Sequence, residues 1–288
     1  MPVTAASSPR ADSAPAPFSG FVPEAGGASG LDAAELARFE RDGWVGSYPL
    51  LTPRGVDEVG AMRNTVMRSL TKPADIARAT ASDAFVQKPW FKSMHACVPE
   101  CFDIARHPAI VDRVKSILGP DVIAWGVTIT RSAPGGVHRW HVDHEHHRWH
   151  GVSVYLGLAG SDLDSALKLI TGSHRMPENP QMYGVKDDAA ALAAVREEIL
   201  TAEMVRVPIA PGEFFLFAGR AWHGSHNTGS KLRLSMILQY SRPDVRVQIP
   251  LNFNEPIHWH PSRPPCVLVA GQDHHGRNRL VERPGAMP

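Results

Sequence analysis

Residues 140–147 read Trp140-His141-Val142-Asp143-His144-Glu145-His146-His147. His141 and Asp143 stand two apart, and side chains on a β-strand alternate between faces, so this spacing puts an imidazole and a carboxylate on one side. A strand end that presents such a pair, completed by a distant histidine, makes a two-histidine, one-carboxylate face for an octahedral iron and leaves its remaining positions open. A His-x-Asp triplet alone arises often by chance. It gains weight from His223, 82 residues downstream (223 − 141), in Ala221-Trp222-His223-Gly224-Ser225. Arg233 follows ten residues later (233 − 223), early in the apolar run Leu232–Tyr240. An arginine on a buried strand needs an anionic partner, and its planar fork suits a carboxylate.

The chain around this stretch is strand-like. Val122–Arg131, Val152–Leu158, Ala166–Ile170, Met204–Ile209, Glu213–Phe217 and Leu232–Tyr240 are short, rich in β-branched and aromatic residues, and punctuated by Gly, Pro, Asn and Asp. Many short strands with turn signals between them point to a sandwich or barrel. One helical insert at 187–200 shares a face through Leu192, Val195 and Ile199. Before the strands the texture is helical. Asp32 with Glu35 forms a capping box, Leu36 and Phe39 supply an apolar face, and Gly43 stops the helix. Thr52-Pro53 opens a second helix, which Val56, Val59, Met62, Val66 and Leu70 continue at helical spacing. A third is expected over 108–118, ended by Gly119-Pro120. Residues 73–98, with Pro73, Phe85, Pro89, Trp90 and Phe91, read as irregular. The expected architecture is mainly β with flanking helices: an N-terminal helical layer on an antiparallel double-stranded β-helix, a cupin-like jelly roll. The domain reading is a disordered segment over 1–30 and a single domain over 31–288. Its β-helix core spans about 121–241, and 242–288 form a wrapped or partly mobile extension.

Composition narrows the function classes. Apolar residues make up 43% and charged residues 20%, with a formal net charge of +1, so no charge-driven pull toward nucleic acid or an anionic membrane is expected. Apolar runs such as Cys266–Ala270 are far below the ~20 residues of a membrane span. Three cysteines cannot form a disulfide framework, and the start has no secretory pattern, so a reducing cytoplasmic setting is the expectation. Cys97 and Cys101 lack a second pair to complete a zinc site and read as buried thiols. Histidine is the outlier, at 15 in all with six between His138 and His150.

Six pieces recur in order: Phe39-Glu40-Arg41-Asp42-Gly43-Trp44, Trp140-His141-Val142-Asp143, Gly172-Ser173-His174, Pro211-Gly212-Glu213, Trp222-His223-Gly224-Ser225 and Arg233. In this the chain resembles the phytanoyl-CoA dioxygenase family of iron/2-oxoglutarate oxygenases, over roughly residues 31–241. The resemblance implies the double-stranded β-helix, with Fe(II) on His141, Asp143 and His223. It implies 2-oxoglutarate chelating that iron, with its distal carboxylate on Arg233 and the Ser225 hydroxyl as a second contact. The resemblance also implies a co-substrate contact from the strand before the His-x-Asp turn, around Thr128–Arg131, without singling out one residue there. Oxygen is the other co-substrate, succinate and CO2 are coproducts, and a substrate C–H bond becomes an alcohol, a ring or an alkene. Asp143 stands where similar halogenases keep a small residue, which favours oxidation over halogenation. The chain departs from the family in having Asp164-Ser165 in place of Asn-Gly, and in a short gap from His223 to Arg233. Trp140–His146 and Gly151–Leu158 also resemble sugar-oxidising members from antibiotic biosynthesis, including orthoester-forming, orthosomycin-type ones.

The other residues near the motif have plainer readings. His144, His146, His147 and His150 divide between roles around the site and solvent exposure. His226 is a weaker candidate than His223, and His174 reads as a turn residue. Trp140, Trp149, Trp222 and Trp259 read as packing before stacking on substrate, and Glu145 as a solvated acid. His258, His260 and Asp273-His274-His275 read as surface. The expected activity is dioxygenase oxidation of a polar small molecule, with sugar-containing natural products foremost. Segments 75–98 and 175–203 are the expected pocket walls. A non-catalytic cupin-like binding module would leave Arg233 without a purpose, and a zinc hydrolase would need a base such as Glu145.

Overall fold

The computed structural model describes residues 16–23, 30–69, 92–143, 150–247 and 264–285. The helical layer comes first: α1 (Ala33–Asp42), α2 (Pro53–Ser69), α3 (Pro99–Ala105) and α4 (Pro108–Leu118). In α1 the Asp32 side chain accepts from the Glu35 amide while the Glu35 carboxylate accepts from the Asp32 amide, and Gly43 closes the helix at φ +82°. Both ends therefore form as their capping residues dictate.

Eleven described strands follow in two sheets. In chain order they are β1 (Trp44–Pro49), β2 (Val122–Ser132), β3 (Val137–His141), β4 (Gly151–Ala159), β5 (Leu167–Ile170), β6 (Met204–Val207), β7 (Glu213–Ala218), β8 (His223–His226), β9 (Arg233–Ser241), β10 (Pro265–Ala270) and β11 (Arg279–Leu280); a fifth helix, α5 (Asp188–Glu198), lies between β5 and β6. The large sheet runs β1-β7-β4-β9-β2-β10-β11 and the small one β3-β8-β5-β6. Every described pairing is antiparallel except β10 with β11. Together the sheets form the jelly-roll double-stranded β-helix.

The large sheet is covered by helices on one face and turns a mixed polar and apolar face to the small sheet. Helices α2 and α4 pack on β4, and α3 and α4 on β2. Tyr240 of β9 donates its hydroxyl to the Ala105 carbonyl of α3, which marks the helix-facing side. Arg233 of the same strand reaches Ser225 in the small sheet, so Ser235, Ile237 and Gln239 share its inward face by alternation. Thr130 of β2 meets Ser235 side chain to side chain at 2.9 Å, and Ser153 of β4 reaches Asp143. The space between the sheets thus holds hydroxyls and an amide beside Ile237 and the Phe217 ring, which packs on His223, while Val152, Val154 and Leu156 face the helices.

Three features depart from the sequence reading. Trp44–Pro49 is a strand, paired with β7; its register shifts between Gly46 and Tyr48, which breaks the alternation that would have marked it. Within the segment read as disordered, residues 16–23 are held against the body. Phe18 is buried, Phe21 bridges to Leu51, and the Phe18 amide donates to Asp103. Two aromatics there outweigh an otherwise small and polar composition. The tail also adds to the sheet, because β10 pairs with β2 and extends the large sheet past the core expected to end near 241. The expected contributions of Val66, Leu70, Phe85, Trp90 and Phe91 lie outside the described side chains.

Candidate metal centre and co-substrate site

The small sheet assembles the metal face. His141 ends β3 and His223 begins β8, and the two are register partners across that pair. Asp143 sits in the bend just after β3 rather than on the strand. Donor atoms of His141, Asp143 and His223 all lie within 4.8 Å of one another. Asp143 Oδ1 is 3.6 Å from His223 Nε2 and 3.9 Å from His141 Nε2. The other ring nitrogens are committed, with His141 Nδ1 donating to the Arg139 carbonyl at 2.8 Å and His223 Nδ1 to that of Ala221 at 2.9 Å. Each bond fixes the tautomer that puts the lone pair on Nε2, toward Asp143, the arrangement seen for metal-binding histidines.

The electrostatics agree. Burial, then the neighbouring His223, lowers His141 to about 3, so its ring is neutral at physiological pH. Burial alone would raise Asp143, but His223, His141 and the Ser153 hydrogen bond hold it well below the usual carboxylate range. His141, neutral, and Asp143, ionised, are therefore in the protonation states a metal requires. Two imidazoles and an ionised carboxylate converging at this spacing fit a divalent iron.

Arg233 is 5% exposed. Its Nη2 donates to Ser225 Oγ at 3.0 Å and its Nη1 to the Ser165 carbonyl, while its buried Nε has no partner. Among the described residues no carboxylate lies within ion-pair distance of it. The partners of this buried cation are neutral. Ser225, which accepts from it, keeps its own proton to donate. On β2, the buried Thr128 hydroxyl is also without a partner, whereas Thr130 is engaged with Ser235.

The remaining motif residues sort cleanly. His174 is remote from the metal face: its Nε2 meets the Glu40 carbonyl at 3.2 Å, and its ring packs where a Cβ at Gly43 would stand, 2.5 Å from Nδ1. Two of the recurring pieces are therefore matched to each other. Its neighbour Ser173 donates to the Ile170 carbonyl and accepts from the Trp222 amide, which ties the end of β5 to the approach to His223. Trp140 and Trp222 are buried in a cluster with Ile170, Met176, Ala191 and Val195, as the packing reading expects. Trp140 also donates its indole N–H to Asp188. His226 is exposed, and all three cysteines are buried and outside any disulfide. His150 is exposed, and Asp273 caps the amides of His275 and Gly276 at the surface. Residues 185–189 of the insert bound a cleft of about 760 Å³ against 137–140, Lys168, Ser225 and His226, which His141, Asp143 and His223 do not line. His144, Glu145, His146, His147, Trp149, His258, Trp259 and His260 lie outside the described residues, as does most of 75–98.

Two neighbours of the metal face were not singled out in the sequence. His138 stacks on His141 with ring centroids 4.2 Å apart. Lys92, whose carbonyl accepts from the Val127 amide, lies near enough for its charge to act on His138, His141 and Asp143. A clustering of histidines hinted at the first, but Lys92 is brought in only by the fold.

A family model, Phytanoyl-CoA dioxygenase (PhyH), matches residues 39–235. No curated protein matches the chain. Among solved structures, the non-heme monooxygenase ThoJ in its apo form is 22% identical with a TM-score of 0.62, covering 88% of this chain and 89% of its own. CytC3 with Fe(II) and alpha-ketoglutarate is 20% identical with a TM-score of 0.59, covering 90% and 96%. SnoK, a non-heme alpha ketoglutarate dependent carbocyclase from nogalamycin biosynthesis, is 17% identical with a TM-score of 0.60, covering 82% and 94%. Among the described residues no helix is long and apolar enough to cross a membrane.

Proposed function

The chain belongs to the phytanoyl-CoA dioxygenase family of non-haem Fe(II)/2-oxoglutarate oxygenases, and from that premise we propose that His141, Asp143 and His223 hold the iron, that Arg233 and Ser225 hold 2-oxoglutarate, and that the enzyme oxidises a C–H bond of a polar small molecule. The observation that carries this reading is Arg233. Burying a cation away from any counter-charge costs several kcal/mol after relaxation, by general estimate about that much per ion. A dicarboxylate bound to a metal beside it supplies the missing charge at its far end. Ser225 can add a hydrogen bond from its free proton, and the unpartnered Thr128 hydroxyl selects one residue from the segment 128–131 for the same pocket. A binding module without turnover would have no use for this arrangement.

Bound iron, 2-oxoglutarate and oxygen supply the oxidising chemistry, with succinate and CO2 as coproducts. The protein's part is placement and dryness. The paired β3 and β8 set the two imidazoles, Ser153 and the histidines set the carboxylate, and the flanking Phe217 ring, 4.9 Å from that of His223, shields one side. A polar substrate is favoured by the inward hydroxyls of Ser153, Thr128, Thr130 and Ser235, together with the Gln239 amide, which occupies the space a Cβ at Gly126 would need. A natural product as the class, and ring closure as an alternative to hydroxylation, draw support from the similarity to SnoK, a carbocyclase from nogalamycin biosynthesis; a sugar-containing one is favoured by the resemblance of Trp140–His146 and Gly151–Leu158 to sugar-oxidising members.

The test is succinate release from 2-oxoglutarate in the presence of Fe(II), oxygen and a panel of glycosylated natural products. Release that requires iron, rises with a panel member and vanishes in His223→Ala is the expected result. Metal-loaded protein that yields no succinate with any panel member would overturn the reading.

A further inference from the structure

Asp143 is the one member of the metal face that no strand holds, since β3 ends at His141. Its carboxylate is nonetheless oriented. Oδ1 faces both histidine Nε2 atoms, while Oδ2 accepts a hydrogen bond from Ser153 Oγ at 2.6 Å. Ser153 is fully buried and sits mid-strand in β4, paired with Phe217 on one side and Gln239 on the other. The surrounding sequence, Val152-Ser153-Val154-Tyr155-Leu156, is otherwise apolar or aromatic. A hydroxyl buried in such a run is costly unless it is bonded, and the bond it makes here is to Asp143.

A carboxylate can meet a metal through one oxygen or both. We propose that Ser153 is a positioning residue: by engaging Asp143 Oδ2 from the opposite sheet, it restricts the carboxylate to one-oxygen coordination through Oδ1 and so keeps a metal position open for the co-substrate. This goes beyond the choice of ligands, because it makes the large sheet set how the ligand borne by the small sheet binds. It rests on the iron-site reading above. Partners of this kind around metal ligands typically contribute about 10–100-fold in metal affinity.

The experiment titrates Co(II) calorimetrically into the metal-free full chain, as wild type, Ser153→Ala, Asp143→Ala and the double variant, with thermal melts to check folding. Ser153→Ala should weaken cobalt binding about 10–100-fold, and the same change should have almost no effect once Asp143 is already alanine. Ser153→Thr and Ser153→Val, matched in volume, isolate the hydroxyl if the alanine variant melts early: the threonine should bind near wild-type affinity and the valine should not. Wild-type affinity in Ser153→Ala or in Ser153→Val would overturn the proposal. So would an equal loss with and without Asp143, which marks a merely structural role. Wild-type protein that binds no cobalt would instead overturn the metal-site reading, and this inference with it.

Discussion

Replacing Arg233 with methionine separates the co-substrate role of this residue from any role in folding. Among the described residues, the partners of the Arg233 guanidinium are the Ser225 hydroxyl and the Ser165 carbonyl, and the residue is 5% exposed. Methionine removes an uncompensated buried charge, which is favourable, and strands those two acceptors, at about 1–3 kcal/mol each. These effects oppose each other, so the melting temperature without 2-oxoglutarate should move little. Binding should respond differently, because truncating one partner of a buried, hydrogen-bonded charge pair costs roughly 2–5 kcal/mol. At ~1.4 kcal/mol per decade, that is roughly a 30- to 3,000-fold weaker affinity for 2-oxoglutarate. The assay is thermal melting of the manganese-loaded protein, which binds without turning over. At 2-oxoglutarate about 100-fold above its wild-type Kd, the wild type gains about 2.7 kcal/mol. For a chain of this size that corresponds to a rise of roughly 5–10 °C. A variant weakened at least 30-fold gains less than about 1 kcal/mol and rises by no more than roughly 3 °C. An equal rise in both proteins would refute the assignment of Arg233 to the co-substrate.

Two further predictions concern the frame around the site. Gly43→Ala forces a side chain into φ +82° and places its Cβ 2.5 Å from His174 Nδ1. Urea melts should show a loss of about 2–4 kcal/mol, of which His174→Ala in the same chain restores the contact share but not the ~1–2 kcal/mol due to the left-handed conformation; a loss near zero would show that His174 and the helix end are not coupled. His95 is wholly buried, bonded through Nε2 to the Pro265 carbonyl, and burial lowers it to about 4. The unfolded chain therefore takes up this proton first. Its contribution is intact above the ordinary histidine value and is lost as pH falls from about 6.5 to 4, amounting to roughly 3 kcal/mol at the lower end. His95→Gln, which can still donate to Pro265, should flatten that part of the stability–pH curve, and an unchanged curve would count against the burial argument.

What the sequence revealed was whatever depends on local spacing or on a recurring motif. The His-x-Asp pair, the distant histidine and the arginine beyond it were all legible, as were the capped α1 and the strands from Val122 onward. Asp143 was placed on a strand, however, and lies just past one; the side-by-side geometry survives because the bend keeps it facing His223. Trp44–Pro49 was missed because a register shift destroys its period, and β10 because prolines at 261, 264 and 265 hide a short apolar strand. Gly-Ser-His was visible as a motif, but its work was not: Ser173 pins the approach to His223, and His174 braces the end of α1. Ser153 and Lys92 were invisible for a deeper reason. A lone serine in an apolar strand, or a lysine in an irregular segment, acquires meaning only when a distant element is folded against it.

The most direct measurement is an anaerobic titration of the metal-free protein with Fe(II) and 2-oxoglutarate, followed by the weak visible charge-transfer band that the chelate produces. The account predicts that the band develops in the wild type, is absent in His223→Ala, and in Arg233→Ala forms only at much higher 2-oxoglutarate. Iron binding without any band at saturating 2-oxoglutarate would contradict it.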